Sequence, residues 1–339
     1  MARRLITMIG LLLTAATIVT GADRFAVLEF FGRPQGAYCS AAGPAMIALQ
    51  AELAGDAELL EYDFDAFASG RVDRFWATGA QATYLPLVMV GSGYRTSSGH
   101  VDYWPVYAGM IADERARAPE AEAVAFWRRQ GSSVRCYLSL RNVRNSRISV
   151  AEEAAVWVVV FERAGIGVSN TWVRSTGRHV LASGLDPGEA TDLVIDVPAS
   201  TVTSWNRAAT LVLIEDRPGG GGRYDMLQAA LAEPAALSVS PATLTLTPAA
   251  RTAEITIAGP HVLSWTAEAD VPWLEVTPPA GQVPGSVSIT LVPELRPADT
   301  PNGTVAIAAA GDGMTFHEQV EVELGGLVRQ SGGRRTPDR

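Results

Sequence analysis

Two stretches near the start decide how this chain reads: Phe25-Ala-Val-Leu-Glu-Phe-Phe31 and Tyr38-Cys39-Ser40-Ala41-Ala42. The first is a continuous apolar run, the pattern of a strand buried on both faces. The second sets an aromatic residue and a cysteine at the head of residues 41–54, which are rich in Ala, Leu, Met and Gln and so favour helix. A strand feeding a helix that opens on cysteine is how a thiol redox site is written. A second thiol, in the Cys-x-x-Cys spacing such sites use, would stand at position 42; Ala42 stands there instead.

Working outward, residues 59–64 and 85–90 read as further strands and residues 72–78 as a short helix. Residues 104–117 and 120–128 read as helices, with Pro119 between them. Strand alternating with helix argues an α/β sheet with parallel pairs. From Ser132 the pattern changes to short apolar strands at 134–140, 155–161, 192–197 and 210–214, the signature of a β-sandwich. Glu233-Pro234 marks a second boundary. Beyond it, short strands recur at 236–240, 244–247, 253–257, 263–267, 273–276, 287–291, 304–308 and 318–324, with Pro and Gly in the turns, as in a small Ig-like sandwich.

The chain has 339 residues, enough for two or three domains, and 47% of them are apolar. Its net charge of −9 with no basic stripe argues against nucleic acid as a partner. The N-terminus reads as an export signal: Arg3 and Arg4, an apolar run at 5–19, then Thr20-Gly21-Ala22 for cleavage. An uncleaved anchor is the alternative. No cysteine follows the run to carry a lipid, and no later segment is long and apolar enough to cross a membrane. The basic, Gly-rich tail reads as a solvated end.

Cys39 at a helix start meets the positive end of the helix dipole, which favours the thiolate, and Arg33 in the preceding loop adds to it. Pro86, in Thr83-Tyr84-Leu85-Pro86 before a strand, is a candidate cis-proline, since cis bonds belong largely to proline and the residue before proline favours extended backbone. Cys39 and Cys136 could pair in an oxidising compartment. Alternatively Cys136 is a core residue, because Val134, Cys136, Leu138 and Leu140 alternate with polar neighbours. His100, His179, His261 and His317 are scattered without metal-ligand spacing, so no metal and no cofactor is expected. Asp63 and Asp65, Gly219-Gly-Gly-Gly222 and Asn302-Gly-Thr304 read as solvated acids, a loop and a turn.

As an ordered set, Val27-Leu-Glu-Phe-Phe31, Cys39-Ser-Ala-Ala-Gly-Pro44-Ala45 and Tyr84-Leu-Pro86 resemble secreted thioredoxin-like families with an appended β-domain. Residues 156–162, Asn170-Thr-Trp-Val-Arg174, residues 211–216 and Met226-Leu-Gln-Ala229 extend the likeness. The nearest is the outer-membrane-protein thioredoxin-like family, over about residues 24–232. The resemblance implies a substrate groove shaped by a cis Pro86 facing Cys39, with Tyr38 flanking. Ala42 departs from its two-cysteine pattern and removes the local resolving thiol.

Leu237-Ser-Val-Ser-Pro241, Trp265, Pro272-Trp273-Leu-Glu-Val-Thr-Pro278, Gly281, Val287-Ser-Ile-Thr-Leu291 and Gly303-Thr-Val-Ala-Ile307 resemble the BACON family of Ig-like modules, over about residues 235–325. That resemblance implies an extracellular setting and a carbohydrate ligand, with Trp265 and Trp273 either sugar platforms or core.

The expected fold is an α/β thioredoxin-like domain followed by two all-β sandwich-like domains. The divisions are a signal at 1–22, then 23–130, 131–233, 234–326 and a disordered tail at 327–339. The expected role is an exported envelope or extracellular binding or scaffolding protein with a one-cysteine site. The rivals are a thiol–disulfide oxidoreductase acting through Cys39 on client proteins with an external resolving thiol, and a carbohydrate binder.

Overall fold

The computed structural model describes residues 23–66, 70–80, 82–165, 167–296 and 302–325. The export signal at 1–22 and the tail at 327–339 lie outside the described residues. The elements up to residue 234 are β1 Ala26–Gly32, α1 Ala37–Glu52, β2 Ala57–Asp63, α2 Asp73–Trp76, β3 Leu87–Val90, β4 Arg95–Ser98, α3 Tyr103–Arg115, β5 Ala121–Gln130, β6 Ser133–Asn142, β7 Ala155–Glu162, β8 Trp172–Val180, β9 Ala190–Pro198, β10 Ala208–Asp216 and β11 Asp225–Pro234.

These strands join in one 11-stranded sheet, ordered β4-β3-β1-β2-β8-β7-β10-β11-β5-β6-β9. Two joints are short. Strand β2 meets β8 at Glu61 opposite Trp172, and β11 meets β5 at Glu233 and Pro234 opposite Phe126 and Trp127. The sheet folds over on itself at these two joints, so its parts pack face to face. Met46 and Leu49 of α1 and Tyr107 and Ile111 of α3 pack on Leu28, Phe30, Leu59 and Val88. The opposite face of β1–β3, with Phe31, Tyr62 and Met89, packs on Trp157, Val159, Phe161 and Leu213. The far face of β7 and β10, with Val156, Val158 and Val212, packs on Val134, Cys136, Leu138 and Ile195. Strands β1 and β7 are buried on both faces, which is why their sequences run apolar without alternation. Arg24 ties the start of the chain to this body: its guanidinium donates to Glu114 Oε1 at 2.6 Å, to Leu227 O at 3.2 Å and to Met226 O.

This architecture overturns the expected α/β thioredoxin-like domain. Among the described residues strand makes up 49% and helix 16%, and the two long helices, α1 and α3, cover only one face of β1–β3, the short α2 adding Phe75 to the other. In an α/β domain helices close both faces. Here the second face is closed by β7 and β10, which come from the segment expected to form a separate sandwich. The parallel pair expected near the start is present as β1 and β2, with β3 antiparallel to β1. Residues 120–128 are not a helix but most of β5, paired to β6 from Ala121↔Asn142 to Gln130↔Ser133. Their Ala and Glu content favours helix, but cross-strand pairing overrides that preference. The short helix read at 72–78 is confined to α2.

The remaining strands are β12 Ser238–Ser240, β13 Thr243–Leu246, β14 Thr252–Ala258, β15 Ser264–Ala269, β16 Leu274–Thr277, β17 Ala280–Gln282, β18 Gly285–Leu291, β19 Asn302–Gly311 and β20 Met314–Leu324. They form two sheets, β12-β14-β18-β16 and β13-β20-β19-β15-β17, closed over one core that includes Trp265, Trp273, Ile255, Ile289, Val305 and Val320. Here each strand has one wet face, so apolar and polar residues alternate, as in Thr252–Ala258. The Ig-like sandwich read from the sequence is present, with the short β17 added.

Candidate functional site

Helix α1 starts after Gly36, whose backbone is extended and which offers no side-chain cap. Cys39 lies in the first turn. It is 1% exposed. Its Sγ accepts the Arg33 N–H at 3.4 Å. A Cβ placed on Gly32 or on Gly36 would come within 3.3 Å of that sulfur, so the absence of side chains at both glycines is what lets the backbone close around it. Burial pushes the thiol pKa up; the Arg33 N–H opposes and the Glu61 carboxylate reinforces the rise. The helix-dipole expectation of a stabilised thiolate is therefore reversed by desolvation. Cys136 is buried in the sandwich core, its pKa pushed up to about 12 by burial. Both thiols are free.

Around Cys39 the structure assembles aromatic rings. Tyr38 is 57% exposed and lies 5.5 Å from His100, centroid to centroid. His100 lies 5.5 Å from Tyr103, and Tyr103 lies 5.9 Å from Tyr107. The series runs from the surface to the fully buried Tyr107. Tyr84, 69% exposed, is fastened beside it: Gly99 N donates to Tyr84 O and Pro86 O, and Ser98 Oγ bonds both the N–H and the O of Tyr84. The Leu85–Pro86 bond is cis. Phe31 pairs with Leu87, which sets Pro86 at the level of Gly32 and so beside the Cys39 pocket. The structure thus brings Tyr38, Cys39 and Pro86 to one end of the sheet. His100, read from sequence as an isolated histidine, stands between Tyr38 and Tyr103. Among the described residues, the hydroxyls of Tyr103 and Tyr107 have no hydrogen-bond partner.

Trp265 and Trp273 are core residues. Trp265 Nε1 donates to Gln282 O at 3.0 Å, and Gly281 and Gly303 leave the room in which the two indoles lie. Neither ring is open to a sugar.

Sequence reasoning missed an ionic network at the layer interface. Arg71 donates to Glu29 Oε1 at 2.8 Å and Oε2 at 2.6 Å, and to Glu215 Oε2 at 2.7 Å. Arg74 Nε and Nη2 and Trp157 Nε1 donate to Glu215 Oε1. Tyr62 OH adds a bond to Glu29 at 2.9 Å. All these side chains are buried. Burial would push the Glu215 carboxyl up; Arg71 and Arg74 instead hold it down to about 2. The signal was present: a glutamate within Val-Leu-Glu-Phe-Phe, and another after Leu-Val-Leu-Ile, must find cations if both faces are buried.

Comparison with known proteins bears on the C-terminal part. Residues 236–318 match the family described as the viral BACON domain. No curated protein matches the chain. Among solved structures, HBP35 of Porphyromonas gingivalis aligns at 12% identity over 89% of this chain and 99% of its own, with a TM-score of 0.43. A structural-genomics protein of Agrobacterium tumefaciens aligns at 17% identity over 63% of this chain and 96% of its own, with a TM-score of 0.41. A xyloglucanase of Bacteroides ovatus aligns at 20% identity over 26% of this chain and 19% of its own, with a TM-score of 0.20. Likeness at these scores carries no argument about activity, and nothing found supports the thioredoxin-like resemblance over residues 24–232. What the family match does establish is that residues 236–318 form a BACON-type module.

Proposed function

We propose that the chain is an exported binding or scaffolding protein whose Cys39 is a packed side chain, with the aromatic end of the sheet as its binding surface. The observation that carries this reading is the enclosure of Cys39, 1% exposed and with its pKa raised by burial, in a cluster with the buried Tyr103 and Tyr107, from which the ring series leads out to the exposed Tyr38. A nucleophilic thiol needs the opposite, a lowered pKa and access. Exposed aromatic rings, here Tyr38 against His100, with Tyr84 and Trp104 exposed on neighbouring segments, are what binding surfaces are made of. Export rests on residues 1–22 alone. The carbohydrate reading loses its two candidate platforms, since Trp265 and Trp273 are packed inside.

The rival is thiol chemistry through Cys39 with an external resolving thiol, favoured by the Arg33 N–H directed at Sγ. Alkylation separates the two. In the folded chain Cys39 is expected to react with iodoacetamide at pH 6 and 8.5 about a hundredfold more slowly than in urea, as a buried thiol does. Rapid labelling at pH 6 without denaturant would establish a thiolate and overturn the binding reading.

A further inference from the structure

We infer that the outer face of β5, β6 and β9 is a docking surface whose occupant is the BACON-type module of the same chain, latched there by Asp312. Strands β19 and β20 are joined by Asp312-Gly313, both in the left-handed region (φ 47 and φ 72), the backbone of a tight two-residue hairpin. The turn thrusts the Asp312 carboxylate outward from the tip. It is met by three side chains of the other body. Arg135 Nη1 donates to Oδ1 at 2.9 Å, Tyr137 OH donates to Oδ2 at 2.6 Å, and Arg128 Nη2 donates to the Asp312 backbone O at 2.6 Å. Arg128 Nε also donates to Tyr137 OH at 2.7 Å, which orients that hydroxyl. Arg135 is braced from behind by Asp196, at 2.7 Å through both Nε and Nη2. The receptor groups are thus also bonded to one another and to Asp196. The Tyr137 hydroxyl, with help from Arg135, holds the Asp312 carboxyl below its ordinary range, so it is charged at neutral pH.

Two further contacts, both made by His261, distinguish a docked body from a tethered one, and a third lies at the junction. The His261 ring stands edge-on to Tyr137 at 6.2 Å and its Nδ1 lies 3.9 Å from Asp192 Oδ1. At the junction, Ala235 N donates to Trp127 O at 2.7 Å. The contacts thus fall on three strands: Trp127 and Arg128 on β5, Arg135 and Tyr137 on β6, Asp192 on β9. One attachment leaves a swivel, whereas attachments spread across a sheet face fix an orientation. Tyr137, fully buried although it points away from the sandwich core, is buried because the module covers it. The module is thus a fixed arm.

The test uses the full chain and the junction residues 234–237, where Ala236 is exposed. Elastase, which cuts after small residues, reports how often the junction opens, and small-angle scattering reports the spread of the two bodies. Asp312→Asn removes the charge yet keeps a residue that tolerates left-handed backbone. It is expected to speed junction cleavage about tenfold, as losing a charge-assisted hydrogen-bond set does, and to lengthen the maximum dimension. Arg128→Gln with Arg135→Gln, which leaves the turn untouched, is expected to do the same. Glu254→Gln, at an exposed acid elsewhere on the module, is expected to leave both readouts at wild-type values. The inference is overturned if the wild-type chain already scatters as a flexible pair, if Asp312→Asn leaves both readouts unchanged, if only the turn variant and not the arginine pair has an effect, or if Glu254→Gln acts as strongly.

Discussion

Replacing Glu215 by Gln removes one negative charge from a cluster that is otherwise balanced, Glu29 and Glu215 against Arg71 and Arg74, at the interface between two packed layers. The carboxylate accepts from Arg71 Nη1, from Arg74 Nε and Nη2 and from Trp157 Nε1. An amide offers only one oxygen to these donors and turns an NH₂ toward a guanidinium. Breaking a buried pair in this way costs about 3–5 kcal/mol, a large part of the roughly 5–15 kcal/mol by which a domain is stable. The pH dependence supplies a second, independent figure. The Glu215 carboxyl is held down to about 2, against an ordinary 4.5, and that difference amounts to about 3 kcal/mol. Because the folded-state value is depressed, this stabilisation is fully present above pH 4.5 and is lost as the pH falls toward 2. Urea unfolding of wild type and Glu215→Gln at pH 7, 5, 4 and 3 should show a gap of about 3–5 kcal/mol at neutral pH that narrows below pH 4.5. A gap under about 1 kcal/mol at pH 7, the level of an exposed ion pair, would refute the account of this network, as would a gap that does not change between pH 5 and 3.

Two more outcomes follow from buried groups. Trp265→Phe and Trp273→Phe should separate by calorimetry. Trp265 loses a bond to Gln282 O and leaves an acceptor unpaired, whereas the Trp273 N–H has no partner among the described residues, so Trp273→Phe should cost less by about 1 kcal/mol; equal costs would contradict the assignment. Asp216 has the opposite linkage to Glu215. Burial pushes its carboxyl up to about 6 despite Arg144, so the folded chain holds a proton that the unfolded chain releases. Its contribution to stability should fall by on the order of 2 kcal/mol as pH rises from 4 to 6, and Asp216→Asn should abolish that slope in urea titrations across the same window.

How much of this was legible depends on the range of the forces involved. The BACON-type sandwich was readable because each of its strands has one wet face, so alternation in a strand such as Thr252–Ala258 reports burial residue by residue. The runs in β7 and β10 reported burial on both faces but not what lay on each side. Nothing in Val-Trp-Val-Val-Val says that its second face meets Phe31 and Tyr62. That missing partner is what turned an expected α/β domain into stacked sheets. Residues 120–128 failed for the converse reason: local propensity favoured helix, and a long-range partner, β6, decided otherwise. At the candidate site, the sequence placed Cys39 at a helix start and Pro86 at a strand start, and their grouping with Tyr38 was what the family resemblance implied. The enclosure of Cys39 was not readable, because it depends on Gly32 and Gly36 lacking side chains at two approaches to one sulfur. Charged residues in apolar strands announce that counter-ions exist; they do not say that Glu215 will find Arg71, 144 residues away.

Arg24 imposes an order on synthesis. Its guanidinium is satisfied partly by Glu114 and partly by the carbonyls of Met226 and Leu227, the latter 203 residues further along the chain. At a translation rate of roughly 5–20 residues per second, the first strand leaves the ribosome about 10–40 s before that acceptor is made. The opening segment therefore cannot complete its native packing as it emerges: β2, β3, α1 and α3 are already there to flank the first strand, but in a nascent chain halted before residue 226 Arg24 waits for these two carbonyls for as long as the halt lasts.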